Sequence, residues 1–300
     1  MRNRFTSTQK REKTVVIIAF LAIPFLLLAL FSFYPAAKLV QISFTNWSGL
    51  GAMEFIGLKN YQELLRNGEL LQVLFNVSAY IVVMLIQVFL ALVLAIILNQ
   101  SSIKGRNFFR SWTFLPYMLN GVAVAFMFSI MYDYQRGPLN VLLRLIGLEQ
   151  CAIQWISGSY MTNYSLGLIA MWRYTGLNMV IFLGALQSIS NMYYEAANLD
   201  GASFIQKVRY ITLPSIQTTF EILLLLGFNG ALQAYFEPFV ITKGGPGGIT
   251  DTFITKSLKY AFDFQNFGLA SALAVMLVLL ILLVMGVCKG ILLRKGRQSA

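Results

Sequence analysis

Residues 74–98 read LFNVSAYIVVMLIQVFLALVLAIIL, and none of these side chains is charged. An α-helix rises about 1.5 Å per residue, so roughly 20 mostly apolar residues cross the hydrocarbon core of a bilayer. The few polar side chains in this stretch are uncharged, as a lipid environment requires. The stretch therefore predicts a membrane-spanning helix.

Other apolar segments have the length of a span. The first follows five basic residues, but its charge-free stretch from Thr14 to Ala37 is longer than the apolar region of a signal peptide, which favours a retained helix. The fourth carries Arg173, and the fifth carries Glu221 and Glu237. The sequence thus predicts an all-α polytopic membrane protein with six transmembrane helices, at about 15–34, 74–98, 111–132, 165–189, 217–241 and 268–288.

The overall composition agrees with this prediction. Hydrophobic residues make up 57% of the chain and charged residues 12%, whereas a soluble domain carries about a quarter charged residues. The net charge of +11 comes from Lys and Arg residues grouped beside apolar runs, without a basic surface of the nucleic-acid-binding type. We expect contact with the lipid bilayer and none with nucleic acid.

The distribution of Lys and Arg predicts the orientation. With the amino terminus inside, the inner segments hold 14 of the 23 basic residues, the outer loops hold 8, and Arg173 is the remaining one. Cytoplasmic loops carry such an excess. The domain organisation is then a cytoplasmic basic tail (1–14), one six-helix membrane domain (15–288), and a second cytoplasmic basic tail (289–300).

Residue types that carry covalent or metal chemistry are scarce. The chain has no histidine, and the topology puts its two cysteines, Cys151 and Cys288, on opposite sides of the membrane. We therefore expect no metal site, no catalytic residues and no enzyme activity. No G-x-x-x-x-G-K-[ST] motif is present, and the glycine-rich run 244–248 lacks the Lys and Ser or Thr that such a motif needs. That run is predicted to be a flexible outer turn.

The predicted inner loop 190–214 is unusually structured for a connection. Ser190 or Asn191 can cap a short helix, Asp200-Gly201 is a turn signal, and Ser203 with Gln206 forms a capping box that begins a second helix. Pro214 is expected to end that helix before the fifth span. The apolar side chains at 204, 205 and 208 would be exposed unless a partner covers them, which favours a cytoplasmic partner.

This loop also carries a family resemblance. Glu195-Ala196-Ala197, then Gly201 after three residues, then Ile211-x-Leu213-Pro214 after nine more, resembles the signature loop of permease subunits in binding-protein-dependent ABC importers. The resemblance implies that the loop is the pair of coupling helices, which docks on an ATP-binding subunit. The contact residues so implied are Glu195, Ala196, Ala197, Asp200, Gly201 and Phe204. The alternative is a helical hairpin that only stabilises the cytoplasmic face.

Shorter fragments resemble the carbohydrate-uptake, maltose-type branch of that family. They are residues 55–61 (FIGLKNY), 114–116 (FLP) and 242–246 (TKGGP). The resemblance implies a type I importer permease in the plasma membrane of a prokaryote, without a cofactor of its own because ATP binds to a separate subunit. The implied partners are a second homologous permease, two ATP-binding cassette subunits and an extracytoplasmic solute-binding protein. The large outer domain of some maltose-type permeases is absent from this sequence.

Intramembrane polar residues are the candidates for the path of a sugar or oligosaccharide. Asn229, Gln233 and Glu237 recur every four residues and are expected to share one face of the fifth helix. Tyr235, Phe236 and Trp172 would add aromatic faces, and Arg173 could pair with Glu237. The alternative is hydrogen bonding between helices, the role expected of Gln87 and Asn120. An importer for a non-sugar solute and an ion-coupled secondary transporter are the other functions that the sequence leaves open.

Overall fold

The computed structural model of the protein describes residues 7–100, 103–156 and 159–296. Within these ranges the regular secondary structure is helical, without a β-strand, and a single bridge joins Thr45 to Phe55. The ends of both predicted tails, residues 1–6 and 297–300, lie outside the described residues. The all-α prediction is confirmed for the described chain.

Four helices are long and apolar enough to cross a membrane, and two bent helix pairs reach the same length together. Counting each pair as one span gives the six that the sequence predicts. In chain order they are the first span (Val16–Ile42), the second (Glu69–Asn99), the third (Arg106–Met118 with Gly121–Met131), the fourth (Met161–Gln187), the fifth (Phe204–Ser215 with Gln217–Leu232) and the sixth (Phe267–Gly290).

The third span is broken, which the sequence analysis did not anticipate. Its two helices meet at an angle of 97°. At the break, the side chain of Asn120 accepts hydrogen bonds from the backbone N–H groups of Val122 (2.9 Å) and Ala123 (3.4 Å). The Arg173 guanidinium donates to the Leu119 carbonyl at 3.2 Å. These two side chains supply hydrogen-bond partners for backbone groups that a helix end leaves unpaired. Asn120 is therefore a helix cap rather than a simple packing residue.

The fifth span differs from the prediction at both ends. It begins with a bend of 68° between Phe204–Ser215 and Gln217–Leu232, so the helix runs just past Pro214 before it breaks. At the other end it stops at Leu232, and a non-helical turn separates it from a short π-helix, Pro238–Thr242. The predicted continuous helix over 217–241 is therefore wrong beyond Leu232.

The second span forms the centre of the molecule, because it packs along the fourth span and also against the fifth. Small residues such as Ala91 and Ala95 are fully buried on it and permit close packing. The third and fourth spans also approach closely at Gly176, where a Cβ atom would overlap the backbone of Thr113. By contrast, the apolar window of the first span is not buried at all.

The face predicted to be outer carries short helices, Lys59–Arg66, Pro138–Leu145 and Phe253–Leu258, and ordered loops. The glycine-rich loop is held by hydrogen bonds, contrary to the expected flexible turn. The Asn76 amide donates to the carbonyls of Gly248 (2.9 Å) and Asp251 (3.0 Å), and Asn163 donates to that of Ile249 (2.8 Å). The loop therefore connects to the second and fourth spans.

Candidate functional site

A cavity of about 420 Å³ lies between the second, fourth and fifth spans. Aliphatic residues and glycines form much of its wall, among them Gly167 and Gly227, where an added Cβ atom would press against Val83 and Met84 of the second span. Polar and aromatic side chains interrupt this apolar surface at separate points. Ligand sites for small molecules combine these features: a largely apolar concave surface with a few placed polar groups.

Four of the predicted path residues line this cavity: Asn229, Gln233, Tyr235 and Glu237. Gln233 is the residue that follows the last turn of the fifth span, and its amide donates to the Asn229 side-chain oxygen at 2.6 Å. Glu237 is buried but lies beyond the helix end. The prediction of one common helix face is therefore wrong for Glu237, because a turn brings it to the cavity.

Trp172 and Arg173 lie elsewhere. Trp172 lines a second cavity of about 430 Å³ beside the third span, and its ring meets Phe128 edge to face with 5.4 Å between centroids. Arg173 contacts the break in the third span, and no ion pair within 4.0 Å joins it to Glu237 in the described structure. The suggested ion pair is thus not formed.

The cavity also contains residues that the sequence analysis did not assign to the path. They are Tyr80 and Gln87 on the second span and Tyr174 and Asn178 on the fourth, whereas the expected aromatic residue Phe236 does line the cavity. The Asn178 amide donates to the Gln87 side-chain oxygen at 3.3 Å, which joins two walls of the cavity. Their signal in the sequence was an uncharged polar side chain deep in an apolar run. Because the same signal marks ordinary helix packing, it did not separate these residues.

The loop 190–214 forms two short helices joined by a tight turn. Asn191–Leu199 is capped by Ser190, and Phe204–Lys207 begins with the predicted capping box of Ser203 and Gln206. Gly201 lies between them with φ = +71°, a conformation that glycine adopts without strain. The local prediction of helix, turn and helix is confirmed.

Hydrogen bonds make this helix pair a defined unit. Lys207 donates to the Asn198 side chain at 2.7 Å, and the hydroxyls of Tyr194 and Thr212 are 3.0 Å apart. The first helix follows the fourth span after three residues. The second is the first part of the fifth span and continues, through the bend at Ile216, into Gln217–Leu232. The pair is therefore continuous with two of the spans that enclose the cavity.

The side chains that the resemblance assigned to docking lie on the surface of this unit. Glu195, Ala196, Asp200, Gly201 and Phe204 are exposed, and Ala197 is half-buried. Large apolar side chains accompany them, with Leu199 90% exposed and Ile205 77% exposed. Such a cluster is typical of a protein–protein contact surface.

Comparison with known proteins places this geometry in a family. Residues 87–295 match the model of the binding-protein-dependent transport system inner membrane component. The chain is 33% identical over 280 residues to a probable ABC transporter permease protein of Bacillus subtilis, YurN, covering 92% of this chain and 96% of that protein. It is 28% identical over 264 residues to the multiple sugar-binding transport system permease protein MsmF of Streptococcus mutans, covering 87% and 90% of the two chains.

The fold also matches solved structures. A chain of a bacterial alginate ABC transporter, crystallised in complex with an alginate pentasaccharide-bound periplasmic protein, superposes with a TM-score of 0.82 at 20% identity. The match covers 93% of this chain and 94% of that one. The overall arrangement of the helices thus belongs to a known fold. This chain is a member of the binding-protein-dependent transport system inner membrane components, the multi-pass permease subunits of ABC transporters, which carry out transport and not enzymatic chemistry.

Proposed function

We propose that this chain translocates a sugar or oligosaccharide through an ATP-driven importer. The sugar class is supported by the named relatives MsmF of Streptococcus mutans and the arabinooligosaccharide permease AraP of Halalkalibacterium halodurans, which is 29% identical over 283 residues. The lining of the cavity is consistent with this class. Amide and carboxylate groups can hydrogen-bond sugar hydroxyls, and the rings of Tyr174, Tyr235 and Phe236 offer apolar faces for C–H contacts.

The observation that carries the proposal is the exposed helix pair at 191–207. It presents large apolar side chains to solvent, yet hydrogen bonds fix its geometry, so it is suited to transmit force from a docked subunit. We infer that Glu195, Ala196, Ala197, Asp200, Gly201 and Phe204 dock on the ATP-binding subunit. That subunit binds the nucleotide, and its closure moves the fourth and fifth spans on either side of the cavity.

The remaining partners follow from the same scheme. The excess of Lys and Arg in the segments that contain the helix pair and both termini supports a cytoplasmic position for all of them. A second permease and two ATP-binding subunits would complete the importer in a prokaryotic plasma membrane. The outer loops would receive the solute-binding protein, as a periplasmic protein is bound in the alginate transporter complex.

Docking can be tested by co-purification of the ATP-binding subunit with Gly201→Pro. Proline holds φ near −65° and cannot adopt the φ of +71° at this turn, so the two helices cannot keep their geometry. We expect the ATP-binding subunit to be lost from the complex. Gly147→Pro is the matched control, because Gly147 has φ = +79° on the predicted outer side and open space around it. Retained binding by Gly201→Pro would contradict the docking role.

A transport assay separates the remaining alternatives. The importer, reconstituted in liposomes with its binding protein, should take up sugar only when ATP is present on the side of the helix pair. Uptake driven by a proton or sodium gradient without ATP would instead indicate a secondary transporter. ATP-dependent uptake of a non-sugar solute alone would refute the sugar assignment and leave the permease function intact.

A further inference from the structure

Two buried hydrogen-bond donors in the wall of the cavity have no partner in the protein. Tyr80 and Gln87 are each 4% exposed, and both line the cavity from the second span. Within the described chain, neither the Tyr80 hydroxyl nor the Gln87 side-chain nitrogen takes part in a hydrogen bond. Neither residue belongs to the path predicted from the sequence.

An unpaired donor at this depth is costly. A buried donor without a partner costs about 1–3 kcal/mol. Folded proteins pair the great majority of such groups. Other buried donors without a partner occur in the described chain, as at Trp47 and Tyr260, but Tyr80 and Gln87 share one cavity wall. Their position indicates that a molecule inside the cavity completes the hydrogen bonds.

The orientation of Gln87 supports this interpretation. Asn178 donates to the Gln87 oxygen at 3.3 Å, so the acceptor end of this amide is already used and its NH₂ group is left. An aliphatic solute would not repair an unpaired donor, whereas an oxygen-rich one would. The wall formed by the second span therefore requires acceptors from the solute.

The distance between the two donors along the helix restricts the kind of solute that can bind to both. Residues 80 and 87 are seven positions apart, which is two helical turns on one face and about 10 Å along the axis. One oxygen atom is too small to serve both donors, so they would bind separate oxygens of one polyhydroxylated molecule. Glu237 lines the same cavity and supplies an acceptor for hydroxyl protons.

We infer that Tyr80 and Gln87 are solute-contact residues that donate hydrogen bonds to hydroxyl or ring oxygens of a sugar, in the cavity that Glu237 also lines. The inference rests on the proposed function and adds a binding wall on the second span. It predicts that these side chains determine the affinity of the permease for its solute, and that the Tyr80 hydroxyl contributes nothing to the stability of the free protein.

The test compares Tyr80→Phe and Gln87→Met with the matched control Tyr132→Phe. Tyr132 is also 4% exposed, but its hydroxyl donates to the Ser165 carbonyl at 2.9 Å and lies outside the cavity. The complete importer is reconstituted with its binding protein and offered radiolabelled maltotriose, lactose and arabinotriose. The sugar that the wild type takes up is then used for the concentration dependence of uptake and of sugar-stimulated ATP hydrolysis.

We expect about a three- to tenfold loss in sugar-dependent transport for Tyr80→Phe and Gln87→Met. Thermal stability should equal that of the wild type or be higher for Tyr80→Phe, whereas Gln87→Met also removes the acceptor of the Asn178 amide and should be less stable. Tyr132→Phe should lower thermal stability and leave the concentration dependence unchanged. Wild-type transport by both cavity variants would overturn the inference while leaving the proposed function in place, as would a loss in Tyr80→Phe that is explained by destabilisation. No uptake of any sugar by the wild type would refute the proposed sugar function itself.

Discussion

The close crossing of the third and fourth spans at Gly176 yields a prediction with an internal control. A Cβ atom at this position would overlap the Thr113 carbonyl oxygen and lie 2.8 Å from the Cα of Phe114, all of it backbone that cannot rotate away. Carbon atoms in contact prefer about 3.5–4.0 Å, so the two spans would have to separate by roughly 1 Å. Gly184, on the same helix, has no atom within 4 Å of an added Cβ.

The same substitution should therefore have opposite effects at these two positions. Gly176→Ala overpacks a helix crossing, which costs typically about 1–3 kcal/mol. Gly184→Ala only restricts the unfolded backbone and improves helix propensity, a gain of about 0.5–1 kcal/mol. The two variants should differ in their free energy of unfolding by about 1.5–4 kcal/mol.

The measurement is unfolding in detergent micelles, followed by tryptophan fluorescence during a denaturant titration of each purified variant. Gly176→Ala should unfold at a lower denaturant concentration than the wild type, and Gly184→Ala at an equal or higher one. If Gly176→Ala proves as stable as Gly184→Ala, the spans do not cross at backbone contact and the packing described for the third span is wrong.

Two further predictions concern polar contacts. Asn120→Ala removes the cap at the break in the third span and should lower the free energy of unfolding by about 1 kcal/mol, while Asn120→Ser should restore most of it; equal denaturation curves for all three proteins would exclude a capping role. Asp251→Asn breaks a buried ion pair with Lys259 (2.9 Å) and should cost about 1.5–3 kcal/mol in the same assay. Glu69→Gln, which removes the more exposed pair with Lys256, should cost under about 1 kcal/mol; the reverse order would refute the difference in burial.

The sequence predicted the spans well because each is decided by a long run of one kind of residue. The second span illustrates this: its run at 74–98 carries no charge, and its helix, Glu69–Asn99, begins shortly before the run and ends one residue after it. The structured inner loop was also predictable, since Ser190, Ser203 and Gly201 act through local backbone geometry that neighbouring residues determine.

The breaks were not predictable from apolar character alone. Hydropathy is continuous across 111–132, although Pro116 and the pair Asn120-Gly121 are a helix-breaking and helix-starting signal in retrospect. The errors in the predicted solute path have the same cause. Extending the fifth helix through Gln233 put Glu237 on the wrong element, and nearness in sequence put Trp172 in the wrong cavity. Both errors concern how the spans pack against one another. Hydropathy and spacing along one sequence carry no direct information on that packing.

The hydrogen bonds of the glycine-rich loop have a mechanical consequence. Residues 247–252 are bound at once to the second span through Gln72 and Asn76, to the fourth through Asn163, and to the end of the fifth through Thr252 and the Ala234 carbonyl at 2.7 Å. The ends of these three helices that meet this loop are thereby joined to one another. We expect a rearrangement that admits solute to move these ends as one block, and the helices to shift relative to one another mainly at their opposite ends.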